Sequence, residues 1–216
     1  MMLSEIKVNL HPLNFVIISG ILQSIILACI LLFYRSGNKM ANRLIGIFVL
    51  ICGLHFSWSL IIDTNLADIF KPVFWIPYSY LLAIGPLLFF YTKALTTIDF
   101  RIDTKASVHF LPVLIEVLIQ ISFIALSIRS NTLVYDVPGF LIFRIIEFLG
   151  TAISILVYGK QCLSLIKGHE AWAVANFSNQ KDITLTWLSK LIKYLLVLWI
   201  FWLAFELSFI LFLKFI

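Results

Sequence analysis

Apolar residues come in six long stretches separated by short polar ones. The stretches are about Leu13–Tyr34, Leu44–Ile62, Val73–Leu95, Val108–Ile128, Phe140–Ile166 and Leu188–Phe215. The first carries no charge at all. Each is close to or longer than the roughly 20 residues a helix needs to cross about 30 Å of hydrocarbon. In lipid a helix satisfies its own backbone hydrogen bonds, whereas barrel strands would be half as long and would alternate polar with apolar. The pattern therefore predicts an all-α fold: a polytopic transmembrane bundle of six spans, forming a single integral membrane domain over residues 1–216. The connections are short, so consecutive spans should be antiparallel neighbours.

The basic residues between the spans predict an orientation. Arg35, Lys39 and Arg43 follow the first span, Lys93, Arg101 and Lys105 the third, and Lys160, Lys167 and Lys181 the fifth. The other side has only Lys7, Lys71, Arg129 and Lys214. Nine against four, with Arg144, Lys190 and Lys193 inside spans left uncounted, places the three basic loops in the cytoplasm and the N-terminus outside. The segment Ile26-Leu27-Ala28-Cys29 faintly resembles a lipoprotein cleavage box. The apolar run continues past it through Phe33, so an uncleaved first span is expected.

Composition agrees. The chain is 62% hydrophobic and 12% charged, against about 45–50% and 25% in soluble domains. Its mean hydropathy is +1.04. That leaves too little polar surface to cover a water-soluble globule. With 20 Phe, 7 Tyr and 6 Trp it is no solvated coil. The net charge of +5 is absorbed by the topology, so no nucleic-acid contact by this segment is expected. Cys29, Cys52 and Cys162 show no metal spacing and read as buried free thiols, so neither a metal nor another cofactor is expected.

No nucleophile elbow, His-Glu-x-x-His or phosphate loop is present, which points away from an enzyme. Gly168-His169-Glu170 is read as loop. The candidate polar or ligand-sensing positions are the ionisable residues inside the spans, because such groups are costly in hydrocarbon and face the bundle interior. Glu116 lies roughly 12 Å into the fourth span and His55 roughly 16 Å into the second, at 1.5 Å per residue, so the two could meet. Arg144 and Glu147, spaced i, i+3, share a face of the fifth span, and Glu206 of the sixth lies at a similar depth. Structural ion pairing would explain the same residues. Gly20, Ser24 and Ala28 form a small-residue seam on the first span, and Gly150 and Ser154 another on the fifth. Each could pack within the chain or against a second copy. Gly85 and Pro86 should kink the middle of the third span. Trp75, Trp172 and Trp187 suit a membrane interface, whereas Trp199 and Trp202 sit well inside the sixth span.

Four segments carry a family resemblance: Ala41-Asn42-Arg43-Leu44 leading to GLHF at His55; IPYSYLLAIGPLLFFYTKAL with Gly85-Pro86; HFLPVLI from His109; and NQKDITLTWLSKLIKYLLVLWIFWLAF. In this order the chain resembles the N-terminal membrane domain of AraC-type transcriptional regulators of the Bacteroidetes-like kind. There about seven spans precede a cytoplasmic helix-turn-helix module. The resemblance implies a sensory, signal-transducing domain in a bacterial cytoplasmic membrane, whose partners are the lipid bilayer, a second copy of the regulator and an unknown small-molecule or membrane signal. Residues 1–216 hold neither the seventh span nor the DNA-binding module, so they are read as a truncated piece. Two other functions fit the residues. A small-solute or proton-coupled transporter would use Glu116, His55 and the broken third span. An intramembrane lipid-modifying enzyme would use Arg144 with Glu147 or Glu206.

Overall fold

The computed structural model describes residues 10–176 and 184–214. Within these, the side chains of Ala67, Asp68, Phe74, Leu203 and residues 205–214 lie outside the description. The described chain is helical, with no strand among its residues. Four of its helical runs are long and apolar enough to cross a membrane: α1 (Pro12–Phe33), α2 (Lys39–Asp63), the run Thr104–Ser130 and α7 (Phe140–Asn176).

Local chemistry sets the ends of the first two helices. Pro12 opens α1, where a missing N–H costs nothing. Asn38 caps α2 by accepting the Ala41 N–H at 3.0 Å. Its amide then donates to the Ala94 carbonyl at 2.6 Å. At the far end, the Asn14 amide donates to Asp63 at 2.6 Å, tying the start of α1 to the end of α2.

After α2 the chain does not form the single long third span that apolarity predicts. A one-turn helix α3 (Leu66–Ile69) and a 3-10 turn (Lys71–Trp75) come first. Residues 76–80 carry no helix; a 3-10 turn (Leu81–Ala83) follows and leads into α4 (Ile84–Thr96). The reason is local. Pro72 and Pro77 each lack an N–H, and a residue preceding proline is driven out of the helical region; Ile76 has φ −107°, ψ 131°. Gly85 and Pro86 therefore stand in the first turn of α4, not at a mid-helix kink. Pro86 is tolerated there because a first turn leaves its N–H groups without helical partners.

The short helix is the centre of the molecule. Leu81, Ile84, Leu87, Phe90 and Ala94 pack with Ala41, Leu44 and Ile51 of α2 and with Ile155 of α7. Leu88 packs with Cys162 and Ile166 of α7 and with Leu188 and Ile192 of α8 (Thr186–Lys214). The one-turn helix α5 (Thr104–Ser107), capped by Asp103, and a 3-10 turn (Val108–Phe110) lead into α6 (Leu111–Ser130).

The outer surface inverts the rule for soluble proteins. The buried residues of α6 are Glu116, Gln120, Ile124 and Ser127, while Leu114, Leu118 and Ile121 are exposed. On α7, Ile142, Ile146 and Ile153 likewise face outward, and α1 buries only Asn14 and Ala28. An apolar exterior of this extent belongs in lipid, and the protein is a membrane protein.

Several expectations change in detail. Helix α7 runs 37 residues, about 55 Å at 1.5 Å per residue, so it continues well past Ile166. Gly168, His169 and Glu170 are helical rather than looped. Cys29 is exposed on the apolar surface instead of buried, while Cys162 is buried. Ser24 and Ala28 of the first seam do pack within the chain. A Cβ on Gly53 of α2 would stand 1.9 Å from the Ser24 Oγ, and one on Gly46 would stand 3.4 Å from the Ala28 carbonyl. Gly20 is exposed and has nothing within 4 Å of a Cβ.

The Asn38–Ala94 bond puts the turn holding Arg35 at the same end as Lys93. Lys71 instead bonds the carbonyl and side chain of Asn131, at 3.1 and 3.0 Å, at the end where α6 stops. Arg35 and Lys93 thus share one end, and Lys71 lies at the end where α6 stops.

Candidate functional site: a buried polar cluster on a broken helix

A non-helical stretch inside an apolar bundle must find partners for its backbone groups. Here side chains of α6 supply them, and α7 holds the Ser79 hydroxyl. Glu116 accepts the Leu81 N–H at 2.9 Å and the Leu82 N–H at 3.3 Å, one on each carboxyl oxygen. Gln120 holds Ser79 from both sides: it accepts the Ser79 N–H at 3.3 Å and donates to the Ser79 carbonyl at 2.6 Å. The Ser79 hydroxyl donates to Glu147. Arg144 bonds the other Glu147 oxygen as an i, i+3 ion pair. The carboxyls of Glu116 and Glu147 lie beside one another. Both residues are almost wholly buried, at 1% and 2% exposure.

The polar groups thus close the amino end of a half-helix. Orphan N–H groups at a helix start attract an anion or acceptor, and Glu116 serves as one from a neighbouring helix. Gln120 reaches the non-helical stretch and Glu116 the turn after it, from one face of α6 because they are spaced i, i+4. Ser79 and Gln120 were missed in the sequence. The i, i+4 pairing of two polar residues in an otherwise apolar span was the available signal for Gln120. Ser79 gives no signal of its own, because only the break in the helix exposes its backbone.

The half-helix is also held by shape. A Cβ on Gly85 would stand 2.4 Å from the Ser154 Oγ, and one on Gly150 would stand 3.2 Å from Leu82. The second small-residue seam, Gly150 and Ser154, therefore beds the start of the half-helix within the chain. His109 at the start of α6 bonds the Tyr158 hydroxyl of α7 at 2.6 Å. At the other end Phe123 of α6 packs on Phe140 and Phe143 of α7. Between these two ties, α6 and α7 leave a mostly apolar cleft of about 800 Å³, with Glu116 and Glu147 in its wall.

The expected meeting of His55 and Glu116 gives way to a different pairing. Glu116 lies with Glu147, while the His55 ring lies against Phe56 and Trp202, with centroids 6.0 and 6.2 Å apart. Arg144 and Glu147 are together as their spacing implies. Glu206, the third member of that expected cluster, lies outside the described residues.

No protein-family model, no curated protein and no solved structure matches this chain.

Proposed function

We propose that the chain is a sensory membrane domain whose output is transcriptional, as its resemblance to AraC-type membrane regulators implies. One observation carries the reading. The central helix α4 is broken from its own span, and its amino end is held by side chains of α6 and α7. A helix held this way has an equilibrium that its neighbours can bias. A signal that binds two arrangements of α6 unequally shifts α4 with it, and α4 leads to the end that carries Lys93 and Arg35. We place that end in the cytoplasm of a bacterium, with six crossings and the N-terminus outside, because the basic residues gather there. In that topology a cysteine placed at Ser36 should react with a membrane-impermeant maleimide only after cells are opened. Labelling in intact cells above the native background would reverse the orientation.

Transport is the second reading, since broken helices also line transport sites. One comparison separates the two. In the sensory reading, a chromosomal Glu116→Gln substitution shifts the same small set of transcripts as deletion of the gene, and sealed vesicles show no uptake or proton flux. Unchanged transcripts together with a flux that Glu116→Gln abolishes would replace sensing by transport.

A further inference from the structure

The cleft between α6 and α7 opens onto the apolar exterior, and its walls are accessible. Ile115 of α6 and Ile146 and Ile153 of α7 line it and are exposed. Its two carboxyls are already engaged, Glu116 with the half-helix and Glu147 with Ser79 and Arg144. What the cleft offers an occupant is therefore apolar surface, with Leu82 and Pro86 between the two walls. A spanning helix about 10–12 Å across and about 30 Å long is several times too large for it. An acyl chain fits, and it gains dispersion contacts from both walls instead of one. From Tyr158 back to Glu147 the α7 wall measures about 16 Å at 1.5 Å per residue, close to one leaflet of a core about 30 Å thick.

Charge marks one end of the cleft. His109 and Tyr158 line that end, and Phe89 of α4 packs on both rings, with centroids 6.0 and 5.7 Å apart. The Lys93 ammonium stands 5.9 Å from the Phe89 centroid and 5.3 Å from that of Phe100. Among the described residues no carboxylate lies within 4 Å of it. Lys105 is exposed and is spaced i, i+4 from His109 on the helical run Thr104–Ser130. The neighbouring Asp103 turns its carboxylate to the Ala106 N–H at 2.8 Å. Two cations at the end of an apolar cleft complement an anionic head on an apolar tail. We propose that the cleft binds an anionic glycerophospholipid, with one acyl chain between α6 and α7 and its phosphate at Lys93 and Lys105. The chain then lies on Leu82 and Pro86, beside the N–H groups that Glu116 holds. This site does not rest on the sensory reading above.

The test titrates the full chain in detergent micelles with phosphatidylglycerol or with phosphatidylcholine carrying the same chains. Native mass spectrometry counts the lipids bound. Saturable binding of phosphatidylglycerol about tenfold tighter than phosphatidylcholine is expected from two basic groups at the head. Lys93→Gln with Lys105→Gln should bring phosphatidylglycerol down to the phosphatidylcholine level. Ile115→Trp with Ile153→Trp fills the cleft from both walls and should abolish saturable binding of both lipids. Ile26→Trp, at an exposed position of α1, should change neither. Equal affinity for the two lipids, a preference that survives loss of both lysines, or binding untouched by the cleft-filling pair would overturn the proposal. A dimer that forms without added lipid and is lost with that pair would seat a second copy in the cleft, and would overturn it too.

Discussion

Glu116→Leu is expected to destabilise the protein by about 2–4 kcal/mol, measured as the free energy of unfolding in mixed micelles. The substitution strips the acceptors from the Leu81 and Leu82 N–H groups. Each orphaned buried donor costs about 1–3 kcal/mol, and the surrounding lipid offers no replacement. Part of this is offset. A buried carboxyl is itself costly to desolvate, and its removal relieves the neighbouring Glu147. Two lost bonds outweigh that relief because Glu147 keeps its own partners, Ser79 and Arg144. Glu116→Gln retains one acceptor and turns an NH2 toward the other N–H, so it should cost about half as much. Amide hydrogen exchange localises the effect. Leu81 and Leu82 should lose protection in Glu116→Leu before the amides of α2 do. A Glu116→Leu protein as stable as the wild type, with both amides still protected, would show that the carboxyl does not hold the half-helix.

The second large effect is steric. Gly85→Val is expected to cost about 3 kcal/mol or more, at the upper end of overpacking penalties. Even the first carbon of a side chain would stand 2.4 Å from the Ser154 Oγ, 2.7 Å from Tyr158 Cδ2 and 3.1 Å from the Ser154 carbonyl oxygen. The hydroxyl can rotate away. The carbonyl belongs to the α7 backbone, and the Tyr158 ring is tied to His109, so α4 itself must move. Gly168→Val on α7 is the control, because nothing lies within 4 Å of its Cβ; it should change stability by less than about 0.5 kcal/mol. A cycle of Gly85→Ala with Tyr158→Ala should give a coupling of about 1–3 kcal/mol. Additivity within about 0.5 kcal/mol would mean that the two do not meet.

The two predictions rest on opposite kinds of information. Glu116 stood out in the sequence as a carboxylate in an apolar run, because such a residue must have a reason to be there. Its partner did not stand out. Depth counted along ideal spans set Glu116 beside His55, whereas the structure sets it beside Glu147. Depth fixes a level in the membrane but not which helices are neighbours: α2 packs on α1 and α4, and α6 on the turn that precedes α4. Ser79 lies in the non-helical stretch and Leu81 and Leu82 in the turn after it; their backbone groups need partners, and Gln120 and Glu116 supply them. Gly85 shows the converse. It was legible only as a kink partner of Pro86, and nothing in its neighbours along the chain reveals that Ser154 and Tyr158 fill the space beside it.

By itself the sequence determined the class of solvent, the helical character and the chain's division into apolar lengths. Lipid demands apolar surface and internally satisfied backbone, and both demands are written residue by residue. It also determined the i, i+3 pairing of Arg144 with Glu147, which follows from spacing alone. The tertiary structure alone decided which helix sits at the centre, which small residues bear on one another, and where each buried polar group finds its partner. Those are matters between segments far apart in the chain. A broken helix is stable only if acceptors arrive from elsewhere, and Glu116 lies 35 residues beyond the N–H of Leu81 that it holds.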